Sequence, residues 1–129
     1  MDRWEDRPWG AYRILFQDEY VTVKELWIDE GHQCSLQYHE QRAESFTWKS
    51  GQGEIYHAVD ATRPGEWMPM GLLENVQDFV PVRQWHRIRG GSGGLGLIEV
   101  WIHPGHDPHN LMESCEEDIV RFEDDYGRV

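Results

Sequence analysis

Alternation of apolar and polar positions dominates the chain. The runs YRILF (12–16), YVTVKELWI (20–28), SFTW (45–48), GEIYHAV (53–59) and LGLIEVWI (95–102) are rich in β-branched and aromatic residues and bounded by Gly, Pro or Asp. Such a period of two predicts strands with one face on a core and the other toward solvent. Gly51 and Gly53, Gly65 and the run RGGSGGLG (89–96) punctuate the pattern, and the last predicts a hairpin turn or a flexible loop. No segment sustains a helical period; EEDIVRF (116–122) predicts at most a short helical turn near the end. Several short strands in 129 residues predict a single all-β domain over 1–129, an antiparallel sandwich or barrel.

The same alternation sorts the polar residues. In SLQYH, Ser35, Gln37 and His39 share one face of a strand while Leu36 and Tyr38 share the other; in ESFTWKSG, Glu44, Phe46 and Trp48 share a face. If EQRA turns the chain between them, Gln37, His39 and Glu44 converge on one interior. His86, in PVRQWH behind Pro81, supplies a fourth donor from a distant strand. An amide oxygen, two imidazoles and a carboxylate make a site for one divalent ion with positions left open. Zinc is the first expectation and manganese, iron, cobalt or nickel the alternatives, because imidazole and oxygen donors together do not fix the metal. Leu36 and Tyr38 then need cover from outside, either from the Trp-rich amino-terminal strand or from a second subunit, which predicts a homodimer.

Composition narrows the classes. A net charge of −12 argues against nucleic acid as a partner, since phosphate backbones demand clustered Lys and Arg. Only Lys24 and Lys49 are lysines, whereas arginine occurs ten times, and a planar guanidinium is the better grip on a phosphate or carboxylate. No apolar run reaches the length of a bilayer span, and MDRWEDRPWG has no apolar leader core, so a cytoplasmic protein without membrane contact is expected. Cys34 and Cys115 form no framework or CxxC pair and read as structural thiols in a reducing compartment.

The spacing resembles a known family. GHQCSLQYHEQRAESFTWKSG is similar to the first cupin motif, with Gly31, then Gln37 and His39 at the paired ligand positions, Glu44, and Gly51. PVRQWH is similar to the second, with Pro81 and His86 matching and Arg83 standing where that motif usually has Gly. Most cupins place His at the first ligand position, and Gln there resembles the phosphomannose isomerase branch. RPWGAY (7–12) and DIVRFEDDYGR (118–128) look like the beginning and end of the type II phosphomannose isomerases, the isomerase half of bifunctional enzymes that also carry a GDP-mannose pyrophosphorylase domain. The sequence holds nothing long enough for that second activity.

The resemblance implies a cupin jelly-roll barrel, a small-molecule sugar phosphate as substrate, and interconversion of mannose 6-phosphate and fructose 6-phosphate through an enediol. Gln37, His39, Glu44 and His86 would hold the metal. Arg42, in the family's RAE stretch, is implied in the isomerase chemistry. Arg7, Arg121 and Arg128 would bind the phosphate. The base stays open among Glu123, Asp124, a hydroxide on the metal and a lid residue. A non-catalytic sugar-binding or regulatory cupin is the main alternative, because Arg83, Glu40 and Gln41 depart from the family pattern. Another metal-dependent cupin enzyme is the second, though the Gln ligand argues against a dioxygenase with two His and a carboxylate. HPGHDPH (103–109) imitates a metal motif, but its Pro and Gly fit a surface loop. Twenty-nine residues separate Gly51 from Pro81, and Trp67 within them predicts a lid or a partner contact.

Overall fold

A computed structural model describes residues 3–59, 66–70, 77–102 and 118–128. Nine strands run through them: β1 (Glu5–Arg7), β2 (Gly10–Gln17), β3 (Val21–Ile28), β4 (Leu36–Tyr38), β5 (Ala43–Ala58), β6 (Glu66–Met70), β7 (Gln77–Val80), β8 (Trp85–Ile102) and β9 (Val120–Glu123). Every pairing is antiparallel, along the path β1-β2-β3-β8-β4-β9, with β5 pairing β6, β7 and β8. The two long strands β5 and β8 lie side by side over most of their length and curl the sheet into a jelly roll.

Register stacks the interior in rows, because directly opposed residues share a face. Thr22, Trp101, Glu44 and Val80 form one row across β3, β8, β5 and β7; Lys24, Glu99, Phe46 and Asp78 form the next. Leu26, Leu97 and Trp48 follow, then Ile28 with Leu95. The lower rows join Tyr12, Ile55 and Ile88 in the apolar core. The upper two carry charged groups that are nonetheless buried, and they floor the site described below.

The expected strands are present, but their limits differ in ways with physical causes. The runs 45–48 and 53–59 belong to one strand, β5, whose register slips at Gly51 and Gly53. The glycine run at 89–96 is no hairpin: both ends pair with β5 in the same sense, and the extra residues bulge between Gly90 and Leu95. Gly51 lies at φ 78°, where a Cβ would stand 2.1 Å from the Gly94 carbonyl oxygen, so only glycine lets the bulge close. The segment expected to turn into helix near the end forms β9 instead. Trp67 lies on β6, packed on Tyr56 with Arg89 over its ring, and is a strand residue rather than part of a loop. Cover for β4 comes from the chain's own end: Leu36 is buried, Tyr38 packs on Trp85, and Phe122 of β9 meets Trp85 in turn. The amino-terminal β1 lies at the opposite end of the strand path.

Candidate metal centre

His39 follows β4, Glu44 opens β5 and His86 opens β8, while Gln37 on β4 pairs directly with His86. The Nδ1–H of His39 donates to the Asp118 carbonyl at 2.6 Å, and that of His86 to the Gln84 carbonyl at 2.9 Å. Since a carbonyl only accepts, both Nδ1 atoms carry the proton and both Nε2 atoms present a lone pair. These two nitrogens and a Glu44 oxygen all lie within 4.8 Å of one another, and all three residues are buried. Glu44 Oε1 stands 3.2 Å from His86 Nε2 and closer still to His39 Nε2, and among the described residues neither Oε1 nor His86 Nε2 has a hydrogen-bond partner. Lone pairs aimed at each other in a dry interior repel, and a divalent cation between them removes the conflict. The donor set therefore fits a metal.

Electrostatics reinforce the arrangement. Burial holds the His39 imidazole below its ordinary range, against the upward pull of Glu44, which keeps it unprotonated. Burial pushes the Glu44 carboxyl up, but a hydrogen bond from Glu99 and the Arg42 charge oppose it, and Glu44 stays well below the usual carboxylate range. Glu99 goes the other way, raised by burial and then by the negative charge of Glu44. The proton of this buried pair belongs to Glu99.

The centre opens on a cavity walled by cations: Arg7 from β1, Lys24 from β3, Arg42, Arg121 from β9 and Arg128. Two of them flank Trp101, with Lys24 Nζ and Arg42 Cζ each 3.6 Å from its ring centroid. Five cations around one hollow, in a chain of net charge −12, mark an anion site that the overall charge conceals.

The family model described as mannose-6-phosphate isomerase C-terminal matches residues 2–124. The chain belongs to this family. The xanthan biosynthesis protein XanB of Xanthomonas campestris is 36% identical over 124 residues, covering 95% of this chain and 23% of that protein. Mannose-1-phosphate guanylyltransferase ManC of Salmonella typhimurium is 34% identical, and alginate biosynthesis protein AlgA of Pseudomonas aeruginosa 32%, each aligned over 95% of this chain and 22% of its own length. The chain thus spans under a quarter of the length of these relatives and is related to the isomerase domain of the bifunctional enzymes. In structure it resembles the capsular polysaccharide assembling protein CapF of Staphylococcus aureus, with TM-score 0.73 and 16% identity over 94% of this chain and 34% of that one. It also resembles an RmlC-like cupin from Shewanella frigidimarina, with TM-score 0.65 and 17% identity over 78% and 83% of the two chains. At such identities the likeness speaks for the fold, an all-β cupin. Among the described residues no helix is long and apolar enough to cross a membrane.

Within this cupin the expected site residues fall into two groups. Gln37, Arg42, Glu44, Arg7, Arg121 and Arg128 line the cavity, with His39 and His86 completing the donor cluster behind it. Gln37 Oε1 accepts from the Ser35 hydroxyl at 3.0 Å. Glu123 and Asp124 stand apart from the cavity wall. Glu123 is exposed, and its main-chain carbonyl accepts from Arg87 at 3.2 Å. Asp124 is clamped by Arg128, at 2.7 Å through Nη2 and 2.8 Å through Nε, and the Arg128 main-chain N–H donates to it at 2.7 Å. His103, His106 and His109 lie outside the described residues.

Three residues of the site escaped the sequence reading. Lys24 and Glu99 face each other across β3 and β8 inside the barrel. A signal existed: the inward positions of 20–28 are Thr22, Leu26 and Ile28, and the same alternation turns Lys24 inward. Asp118 is the third. Its carboxylate accepts the main-chain N–H groups of Glu40 and Gln41, both at 2.8 Å, while its carbonyl orients His39. No short-range pattern announces a partner so far along the chain.

Proposed function

We propose that this cupin, one domain over 1–129, is a divalent-metal-dependent sugar-phosphate isomerase that interconverts mannose 6-phosphate and fructose 6-phosphate. The observation that carries the reading is one cavity with a wall of cations and the Glu99 carboxyl group, backed through Glu44 by a cluster of metal-type donors. Gln37, His39, Glu44 and His86 would hold the ion, zinc first among the divalent candidates. When bound, the ion supplies polarisation of the substrate carbonyl and several kcal/mol of charge stabilisation.

The chain's own residues do the rest. Arg7, Arg121 and Arg128 bind the phosphate by charge-assisted hydrogen bonds, and Asp124 positions Arg128 rather than acting as a base. Arg42, beside Trp101 and 3.5 Å from His39 Nε2, orients the reacting end of the sugar. From mannose 6-phosphate a base removes the C2 proton, the electron pair forms the C1–C2 double bond, and the carbonyl O1 becomes an oxyanion. A proton is then delivered to C1 while the O2 proton passes to O1, leaving the C2 ketone. Among the described residues Glu99 is the carboxyl group besides Glu44 that lines the cavity, so this reading gives it the transfer between C2 and C1, as a base once its resting proton has passed to solvent, in place of Glu123 or Asp124. Such a shuttle contributes about 10²–10⁴-fold. A cytoplasmic homodimer belongs to the same proposal; exposed Val120 and Phe122 on β9 are apolar side chains a partner would cover.

The test is a coupled assay for fructose 6-phosphate formed from mannose 6-phosphate, after chelation and re-addition of zinc, manganese, iron, cobalt or nickel in turn. Metal-dependent turnover is expected. Sugar-phosphate binding without turnover under any ion would make the protein a binding cupin instead.

A further inference from the structure

Lys24 occupies a position the barrel would fill with an apolar residue. Thr22, Leu26 and Ile28, its neighbours on the inward face of β3, are buried, and Lys24 itself is only 3% exposed. Taking an ammonium out of water costs several kcal/mol, whereas methionine of similar length would pack there freely. The Tyr12 and Trp101 rings, 4.2 and 3.6 Å from its Nζ, offset part of that cost, and a charge kept at one inward position is what functional sites look like.

Its surroundings say what the charge is for. Lys24 pairs across the sheet with Glu99, and Glu99 is two residues along β8 from Trp101, which pairs with the metal-type ligand Glu44. Lys24 thus stands one row from Glu44 on the inward faces of the same sheet, and both side chains line the one cavity. Lys24 also lines the cavity, and the Trp101 ring beneath its Nζ keeps the head group from retreating into the core. Arg7, Arg121 and Arg128 belong to the first and last described strands and the tail; Lys24 belongs to a central row. An ammonium is a compact charge with three donors, suited to the separate oxygens of a sugar rather than to the fork of a phosphate.

We propose that Lys24 is a catalytic residue whose ammonium binds the substrate's reacting oxygens and stabilises the negative charge that develops on them, separately from the arginines that hold the phosphate. This rests on the isomerase reading. The alternative is that Lys24 is only a structural partner of Glu99 and of the Tyr12 and Trp101 rings.

Lys24→Met and the charge-neutral double variant Lys24→Met/Glu99→Gln distinguish the two. Each is measured for metal content, thermal stability, turnover of mannose 6-phosphate, and calorimetric binding of inorganic phosphate and of 5-phosphoarabinonate, whose carboxylate mimics the paired oxygens of the enediolate. If Lys24 touches the reacting oxygens, Lys24→Met keeps its metal and its phosphate affinity, binds the sugar acid at least about 10-fold more weakly, and loses turnover by about 10²-fold or more. The double variant, which removes the cross-strand partner of Lys24 as well, shows the same selective loss of binding. Unchanged sugar-acid affinity in either folded variant overturns the proposal, as does an equal loss for phosphate and sugar acid. Binding needs no turnover, so an inactive wild type that binds the sugar acid through Lys24 would sink the isomerase reading and leave Lys24 as a ligand contact. A wild type that binds neither probe would sink both.

Discussion

Arg83 stands in the left-handed region, at φ 63°, the one non-glycine residue with positive φ among those described. The family motif usually has glycine here, and the backbone shows why: a side chain in this conformation costs roughly 1–2 kcal/mol, while glycine gives back about 0.5–1 kcal/mol through its freer unfolded chain. The ion pair of Arg83 with Glu40, at 2.9 Å but with the arginine 74% exposed, adds little in return. Arg83→Gly should therefore stabilise the protein by about 0.5–1 kcal/mol, read as a higher urea midpoint at unchanged slope. A lower midpoint would mean that the surface pair matters more than the backbone. At this scale the cluster of His39, Glu44 and His86 was legible because the three stand at motif spacing on strands of clear period. Lys24 and Glu99 were not, because a charge inside a strand has meaning only once the register of the neighbouring strands is known. Glu123 and Asp124 sit in the most family-like stretch of the chain, and in the fold one faces solvent and the other faces Arg128.

Strands with plain alternation were readable, and those marked by breakers were not. Pro64, Gly65 and Pro69 make 63–71 look like a loop, yet Glu66–Met70 is a strand that among the described residues pairs with β5 alone, and an edge strand tolerates a proline that cannot donate. The acidic residues ahead of β9 imitate a helix start, but Val120 and Phe122 alternate with Arg121 as a strand should. The turn after β9 is tied by Asp124, whose carboxyl the Arg128 hydrogen bonds hold below its ordinary range. A depressed carboxylate contributes stability that is present above its unfolded value near 4 and lost as pH falls through the lower folded value. Asp124→Asn should thus lower thermal stability at pH 7, by about 1–3 kcal/mol from a broken fork to a charged partner. The gap to wild type should narrow below about pH 4 as wild-type Asp124 takes up its own proton. A gap that stays constant down to pH 3 would show that the loss is one of packing rather than of charge. The same variant should weaken phosphate binding, since it frees the Arg128 fork that Asp124 positions.

For the whole molecule, the site is also a weld. His39, Glu44 and His86 come from the end of β4 and the starts of β5 and β8, and the cavity beside them reaches to β1, β3 and β9, so an ion held by this cluster joins parts of the chain far apart in sequence. A ligand that binds only the folded barrel stabilises it by mass action, by about 2.7 kcal/mol at one hundred times its dissociation constant. Metal-loaded protein should therefore melt several degrees above chelator-treated protein at neutral pH. The pH dependence follows from the ligands. Burial holds the His39 imidazole below its ordinary range, so the lone pair is available throughout pH 7–8, and protons compete with the ion only as pH falls through that lowered value. The difference in melting temperature between loaded and stripped protein should be flat from pH 8 to 7 and shrink as pH falls through the lowered His39 value. Calorimetric melts of the two forms across that range measure it directly. A difference that disappears already at pH 7 would place His39 outside the cation's shell, and one that does not shrink at all in acid would mean that neither histidine holds the ion.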